Sequence, residues 1–181
     1  AKALANAGAC VIIAARNKDK LSIAKNETGC DDIFAMDVTN YSDWEKAEEY
    51  IRNKYGRIDI LINNAGGGVA IKDTVDQSAE DIDAAIRLNL NSVIYGSQIF
   101  GRKMKKQKNG TIINFSSVCA KEAWQGWSVY AASKWGVLGF SKGLYVEMRP
   151  YNVRVSCIVP AAASTGFQKS SGIGEIEAQL K

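Results

Sequence analysis

The sequence predicts an α/β fold, in which a doubly wound parallel sheet lies between helix layers in a three-layer α/β/α arrangement. Short apolar runs typical of buried strands alternate along the chain with longer segments of helical periodicity. The apolar runs are nearly continuous, as expected for strands covered on both faces. No repeat, linker or low-complexity tract interrupts the 181 residues, and this length suits one domain, residues 1–181.

Five segments are predicted to be strands because each is a short apolar run. In chain order they are residues 10–15, 33–37, 59–63, 111–115 and 153–159. The third run contains Ile60, Leu61 and Ile62 in succession, which is typical of a strand with both faces buried. Before the first run, the chain opens in the middle of a helix that ends at Gly8.

Three longer segments are predicted to be helices. The first begins at a capping box, Ser42-Asp43-Trp44-Glu45, and ends at Gly56. Its apolar residues Trp44, Ala47, Ile51 and Tyr55 recur on one face. The second helix starts after Ser78 and continues to about Met104, and the third runs from Val129 to about Met148.

The composition excludes several classes of function. Histidine is absent, which excludes Ser-His-Asp hydrolysis, Cys-His proteolysis and most zinc chemistry, and we expect no metal site. The net charge of +4 comes from scattered basic residues, so we expect no nucleic-acid partner. No apolar run reaches the roughly 18 residues of a membrane span, so we expect no membrane association. The four cysteines are widely separated without a Cys-x-x-Cys pair, which favours free thiols in a reducing, cytoplasmic setting.

Polar and small residues follow the predicted strands at the edge where their carboxyl ends meet. In chain order they are Arg16, Asp37-Val38, Asn64-Ala65-Gly66-Gly67-Gly68, Ser116-Ser117 and Pro160. Ligands of open parallel sheets bind beyond the carboxyl ends of the strands, so we expect the functional site at this edge. The small residues after the third strand allow a ligand to approach the backbone closely.

Tyr130 and Lys134 form a candidate pair for proton chemistry. They lie four residues apart near the start of the last helix and therefore project from the same face. A free tyrosine has a pKa of about 10 and is a poor acid or base at neutral pH. A lysine ammonium within a few ångströms would lower that pKa and suit the phenol to carbonyl and alcohol chemistry. Because such pairs are also frequent by chance, the interpretation depends on the neighbouring residues.

Two further polar residues fit a site of this kind. Ser117 follows the fourth strand, where its hydroxyl could hydrogen-bond the oxygen of a substrate. Asn89 interrupts an otherwise apolar helical stretch, where asparagine is a poor helix former and costly to bury without partners. A satisfied amide in the core is an equally open interpretation of Asn89.

The order and spacing of these residues resemble the short-chain dehydrogenase/reductase family. The matching motifs are Asn63-Asn64-Ala65-Gly66, Asn89, Ser117 and Tyr130-Ala131-Ala132-Ser133-Lys134. The similarity extends from Ala1 to about Phe167. It implies a Rossmann-type domain that binds NAD(P)(H) and its substrate without a separate catalytic domain.

The resemblance also implies a reaction and a role for each site residue. The reaction would interconvert a ketone and a secondary alcohol, with the cofactor carrying the hydride. Tyr130 would be the acid/base, and Lys134 would lower its pKa and bind the nicotinamide ribose. Ser117 would orient the carbonyl, and Asn89 would hold a water molecule linked to Lys134. The implied cofactor contacts are Arg16, Asp37, Val38, Asn64, Ala65, Gly66, Tyr130, Lys134, Pro160, Ala163 and Thr165.

The chain departs from the family pattern in three places. It begins after the Gly-rich turn that follows the family's first strand. Pro160-Ala161 stands in place of a Pro-Gly pair, and Ser156 stands where an asparagine is usual. We therefore expect the domain to be incomplete at both ends, with a strand and Gly-rich turn before Ala1 and a strand after Lys181. The first strand of this chain should then border an empty position in the sheet.

The residues after the first strand predict a preference for NADP(H) over NAD(H). In the fold that the resemblance implies, an acidic residue at the end of this strand would bind the ribose 2′-hydroxyl and repel a 2′-phosphate. Ala15 removes this repulsion, and the planar guanidinium of Arg16 suits a phosphate. A solvated arginine at a strand end is the alternative interpretation.

The resemblance also bears on the assembly, and it leaves more than one reaction open. The two long helices should pair across a two-fold axis into a homodimer or homotetramer that covers Tyr95, Phe100, Trp135, Phe140 and Tyr145. Relatives that use the same four residues for epimerisation or dehydration, or a non-catalytic cofactor-binding scaffold, compete with the oxidoreductase as interpretations. Trp124 and Trp127 either line the substrate pocket, which would favour an apolar or ring-containing ketone, or simply pack.

Overall fold

The computed structural model describes residues 1–161. The helices are α1 (Lys2–Asn6), α2 (Lys18–Thr28), α3 (Tyr41–Tyr55), α4 (Ala79–Ile86), α5 (Ser92–Gln107) and α6 (Ser128–Met148). The strands are β1 (Ile12–Ala15), β2 (Asp32–Ala35), β3 (Ile60–Asn63), β4 (Gly110–Phe115) and β5 (Val153–Ile158). A π-helical turn occupies Arg87–Asn91, and 3-10 turns occupy Thr74–Asp76, Val118–Ala120 and Arg149–Tyr151. Ala163 and Thr165, two of the implied cofactor contacts, lie outside the described residues.

All five predicted strands form, and every pairing between them is parallel. β1 pairs only with β2, whereas β4 lies between β3 and β5. Within residues 1–161 the strands therefore form two parallel sets, β1-β2 and β3-β4-β5, that are not hydrogen-bonded to each other. Among the described strands, none pairs with the second edge of β1 or with the side of β3 away from β4, in line with the predicted empty position beside the first strand.

The helices flank these parallel strands, in agreement with the predicted α/β/α class. α3 buries Trp44 and Ala47, as its periodicity predicts, and packs against α5. α6 packs against β5. The main buried cluster lies between strands and helices and contains Met36, Trp44, Ala47, Leu61, Ile99, Phe100, Met104, Ile112, Leu144, Met148 and Val153.

The helix boundaries correct the sequence prediction in three places. α3 starts at Tyr41 because the side chain of Asn40 accepts a hydrogen bond from the Ser42 N–H (3.2 Å), so the capping box is not the helix start. The helix predicted after Ser78 begins as expected, but the π-helical turn divides it into α4 and α5. α2 was not predicted, although Asn17 caps it through the Lys20 N–H (2.8 Å).

The aromatic residues expected to be covered by an assembly fall into three groups by burial. Phe100 belongs to the buried core, so its assignment to an outer surface is wrong. Tyr95 and Phe140 are partly buried against the same core. Trp135 and Tyr145 on α6 remain 54% and 46% exposed.

None of the helices in residues 1–161 combines the length and apolarity needed to cross a membrane.

Candidate active site

The end of β4 and the start of α6 bring three of the expected catalytic residues together. Ser117 follows β4 and caps the adjoining 3-10 turn, where its Oγ accepts a hydrogen bond from the Cys119 N–H (3.2 Å). Tyr130 and Lys134 lie one turn apart near the start of α6, and both are buried. The side chains of Ser117 and Tyr130 are hydrogen-bonded to each other. The site predicted at the carboxyl end of the fourth strand therefore has a serine and a phenol in direct contact.

Lys134 extends from α6 back to the end of the strand. Its Nζ donates a hydrogen bond to the Phe115 carbonyl oxygen (3.0 Å) and lies 5.6 Å from the centre of the Tyr130 ring. Lys134 is only 4% exposed, and this burial lowers its pKa to about 8, because a charged ammonium loses its hydration there. An ammonium has three N–H donors, and one of them is used by Phe115.

The protonation of Tyr130 differs from the sequence-based expectation. Burial raises its pKa to about 12, and the hydrogen bond with Ser117 offsets only part of this increase. The expected decrease, caused by the nearby ammonium, is therefore wrong for this state of the protein. The reason is that the buried surroundings penalise the phenolate more than its neighbours stabilise it. Tyr130 is accordingly a protonated phenol at neutral pH, which is the form that donates a proton.

Asn89 occupies the π-helical turn and is fully buried. Its Oδ1 accepts a hydrogen bond from the Gly67 N–H (3.0 Å), and its Nδ2 donates to the carbonyl oxygens of Gly67 (2.9 Å) and Ala85 (3.0 Å). The satisfied amide, one of the two open interpretations, therefore describes this side chain. Both N–H groups of the amide bind protein oxygens, and the implied water molecule linked to Lys134 stays a prediction. A Cβ atom on Gly66 would lie 2.9 Å from Asn89 Oδ1 and 3.3 Å from Lys134 Nζ, so this loop packs closely beside the lysine.

The other implied cofactor residues follow the strands at the same end. Arg16 follows β1, Asp37 and Val38 follow β2, Asn64, Ala65 and Gly66 follow β3, and Pro160 follows β5. Arg16 is exposed, and so are the three residues after β3. The Asp37 carboxylate accepts hydrogen bonds from the Thr39 N–H (2.9 Å) and hydroxyl (2.8 Å). Part of its capacity to accept hydrogen bonds is therefore used within its own turn.

Two residues next to the site have contacts that the sequence did not reveal. The Ser116 hydroxyl donates to the Lys134 carbonyl oxygen (2.8 Å). The Trp127 ring packs edge-on against the Tyr130 ring, with 5.4 Å between centres and an angle of 77°. Trp127 thus packs against the candidate catalytic tyrosine, whereas Trp124 is 45% exposed. The only sequence signal for the contact between Ser116 and Lys134 was that Ser116 is adjacent to Ser117.

Comparison with known proteins gives a family match over most of the chain. The family described as short chain dehydrogenase matches residues 1–175. The 3-oxoacyl-[acyl-carrier-protein] reductase of Thermotoga maritima is 37% identical over 167 residues, which cover 89% of this chain and 67% of the relative. Tropinone reductase-like 2 of Erythroxylum coca is 40% identical over 125 residues, which cover 67% of this chain and 46% of the relative.

A solved structure extends the similarity to the fold. The gluconate 5-dehydrogenase of Burkholderia cenocepacia, in complex with NADP and tartrate, superposes with a TM-score of 0.84 at 29% identity. The match covers 92% of this chain and 66% of that protein. The chain thus spans about half to two thirds of the length of these three relatives. On the family match and the shared fold, the chain belongs to the short-chain dehydrogenase family.

Proposed function

We propose that this chain is the catalytic core of an oxidoreductase that interconverts a ketone and a secondary alcohol, with NADP(H) preferred over NAD(H). The observation that carries the proposal is the contact between Ser117 and Tyr130 beside the buried Lys134. A serine hydroxyl and a protonated phenol that meet at one point can both donate to a carbonyl oxygen. The names of the relatives, which include reductases and a dehydrogenase, support the same reaction type.

Each of the three side chains has a distinct task in the proposed reduction. Ser117 donates a hydrogen bond that orients the substrate carbonyl. Tyr130, which is protonated at neutral pH, donates its proton to the carbonyl oxygen as the alcohol forms. Lys134 places a positive charge near the phenolate that remains, which lowers the energy of that state. A bound nicotinamide cofactor supplies the hydride.

The residues present fit a nicotinamide cofactor. Lys134 has two N–H donors beyond the one that binds Phe115, a donor set suited to the two hydroxyls of a ribose. The exposed backbone at 64–66 permits the close approach that an adenosine needs. The exposed guanidinium of Arg16, after β1, is proposed to bind the 2′-phosphate of NADP(H). The relative solved with NADP supports this choice.

The proposal also includes the assembly of the protein and its cellular compartment. We expect a homodimer or homotetramer in which the outer face of α6, with Trp135 and Tyr145 exposed, is covered by a second copy. We also expect the protein to work in the reducing environment of the cytoplasm, where its four free thiols remain reduced.

The proposal is tested by mixing the purified protein with NADPH and a panel of ketones that includes 3-oxoacyl thioesters, cyclic ketones and keto sugar acids. We expect a steady loss of nicotinamide absorbance with at least one class. Cofactor binding without turnover on the whole panel would contradict the oxidoreductase and favour the epimerase, dehydratase or scaffold.

A further inference from the structure

Three consecutive residues at the end of β4 each contact the start of α6. The Phe115 carbonyl accepts the hydrogen bond from Lys134 Nζ, and Ser117 bonds Tyr130. Ser116 lies between them and is only 4% exposed, and its hydroxyl donates to the main-chain carbonyl of Lys134 (2.8 Å). The Ser116 N–H in turn donates to the Ile158 carbonyl of β5 (2.8 Å), which fixes Ser116 to the sheet.

These contacts bind Lys134 to the end of β4 through both its main chain and its ammonium group. The main chain of Lys134 is bound to Ser116, and its ammonium is bound to the adjacent Phe115. A lysine side chain has four rotatable bonds, so the position of Nζ depends on how far its backbone lies from the group that receives it. With both ends fixed to neighbouring residues of one strand, the position of the ammonium is determined by the sheet.

We propose that Ser116 is a positioning residue for Lys134: its hydroxyl holds the α6 backbone at the distance from β4 at which the ammonium reaches Phe115 and keeps its remaining donors for the cofactor. The role of these donors rests on the proposed function. Ser116 itself contacts neither substrate nor cofactor in this scheme, and it acts through Lys134.

The environment of Lys134 indicates what loss of this hydroxyl would do. The titratable groups around its ammonium are Tyr130 on the same helix, Cys119 in the 3-10 turn and Cys157 on β5. Alanine at 116 would leave a small polar gap beside the carbonyls of Phe115 and Lys134, which suits a water molecule. Hydration favours the charged lysine, so its pKa should rise from about 8 towards 10.5.

The experiment compares Ser116→Ala with a matched control, Ser141→Ala. Ser141 is equally buried on α6, where its hydroxyl donates to Val137 (2.7 Å) and accepts from Asn114 of β4 (2.9 Å). The pKa of Lys134 is measured by NMR titration of the labelled lysine ε-carbons, with the signal assigned by its loss in Lys134→Met. NADPH affinity and kcat are measured on the same samples.

We expect Ser116→Ala to raise the pKa of Lys134 by about half a unit or more and to lower kcat about tenfold, the scale of one lost hydrogen bond. Ser116→Thr should restore both, and Ser141→Ala should change neither. If Ser116→Ala does not fold, Ser116→Cys provides a weaker donor of similar size for the same measurement.

The readouts separate this proposal from the proposed function. An unchanged or lower pKa of Lys134 in Ser116→Ala, or the same shift in Ser141→Ala, would overturn the positioning role even if the enzyme reduces ketones. A raised pKa in Ser116→Ala supports the positioning role, and it does so even if the wild-type protein shows no turnover, a result that would count against the proposed function alone.

Discussion

Replacement of Lys134 by methionine should stabilise the folded protein while removing its activity. Burial lowers the pKa of Lys134 from 10.5 to about 8, and this difference of about 2.5 units costs the folded state roughly 3 kcal/mol at neutral pH. Methionine fills the space of the lysine stem without a charge. The lost hydrogen bond to Phe115 offsets about 1 kcal/mol. A net gain of about 2 kcal/mol remains, which corresponds to about 6 °C in Tm for a chain of this size.

The pH dependence of this gain distinguishes a buried charge from improved packing. The folded pKa lies below the unfolded value, so the penalty is complete below about pH 8 and disappears as the pH rises towards 10.5. Denaturant unfolding of wild type and variant, followed by circular dichroism from pH 6 to 10, measures the difference, in which other titrating groups cancel. Lys142→Met, at an exposed position of the same helix, is the control and should change Tm little. A variant less stable than wild type at pH 7, or a gain independent of pH, would refute the reasoning.

Three further predictions concern the cofactor, the substrate oxygen and the assembly. Arg16→Ala should raise the Kd for NADPH about tenfold or more and leave the Kd for NADH almost unchanged, because only NADPH carries the 2′-phosphate. If fluorescence titrations show the same loss of affinity for both cofactors, Arg16 does not bind the 2′-phosphate. Ser117→Ala should lower kcat at least about tenfold with normal NADPH affinity, and loss of cofactor binding in the same titration would mean that the residue is misplaced. Trp135→Glu puts a charge on the exposed face of α6 that a second copy is expected to cover, so it should reduce the molecular mass measured by light scattering. A wild-type protein that is already monomeric at micromolar concentration would contradict the expected assembly.

The strands were predictable because a strand buried on both faces is a continuous apolar run. Ile60, Leu61 and Ile62 illustrate this, and each of the five strands lies within its predicted range or within one residue of it. The pairing of the strand edges could not be predicted from these runs, because hydrophobicity indicates burial and does not specify which edges are paired; the empty position beside the first strand was expected only from the family resemblance. The π-helical turn at Arg87–Asn91 was also not visible, since one extra residue per turn hardly changes the apolar periodicity.

Site residues were predictable by type and position, but their electrostatics were not. Tyr130, Lys134 and Ser117 were identified from their spacing and meet at the end of β4. The direction of the pKa shift of Tyr130 was wrong because it depends on burial, which the spacing of two residues does not reveal. Asn89 was ambiguous for a similar reason, because only the three-dimensional structure places the Gly67 backbone against its amide.

The most direct test of the account is the turnover of Tyr130→Phe, since the central claim is that this phenol supplies the proton. Phenylalanine preserves the ring that packs against Trp127 and removes only the hydroxyl, so folding and NADPH affinity should stay near wild type. On a ketone that the wild-type protein reduces, we expect kcat to fall at least about 100-fold, the scale of a lost general acid. A kcat within a few-fold of wild type would contradict the mechanism.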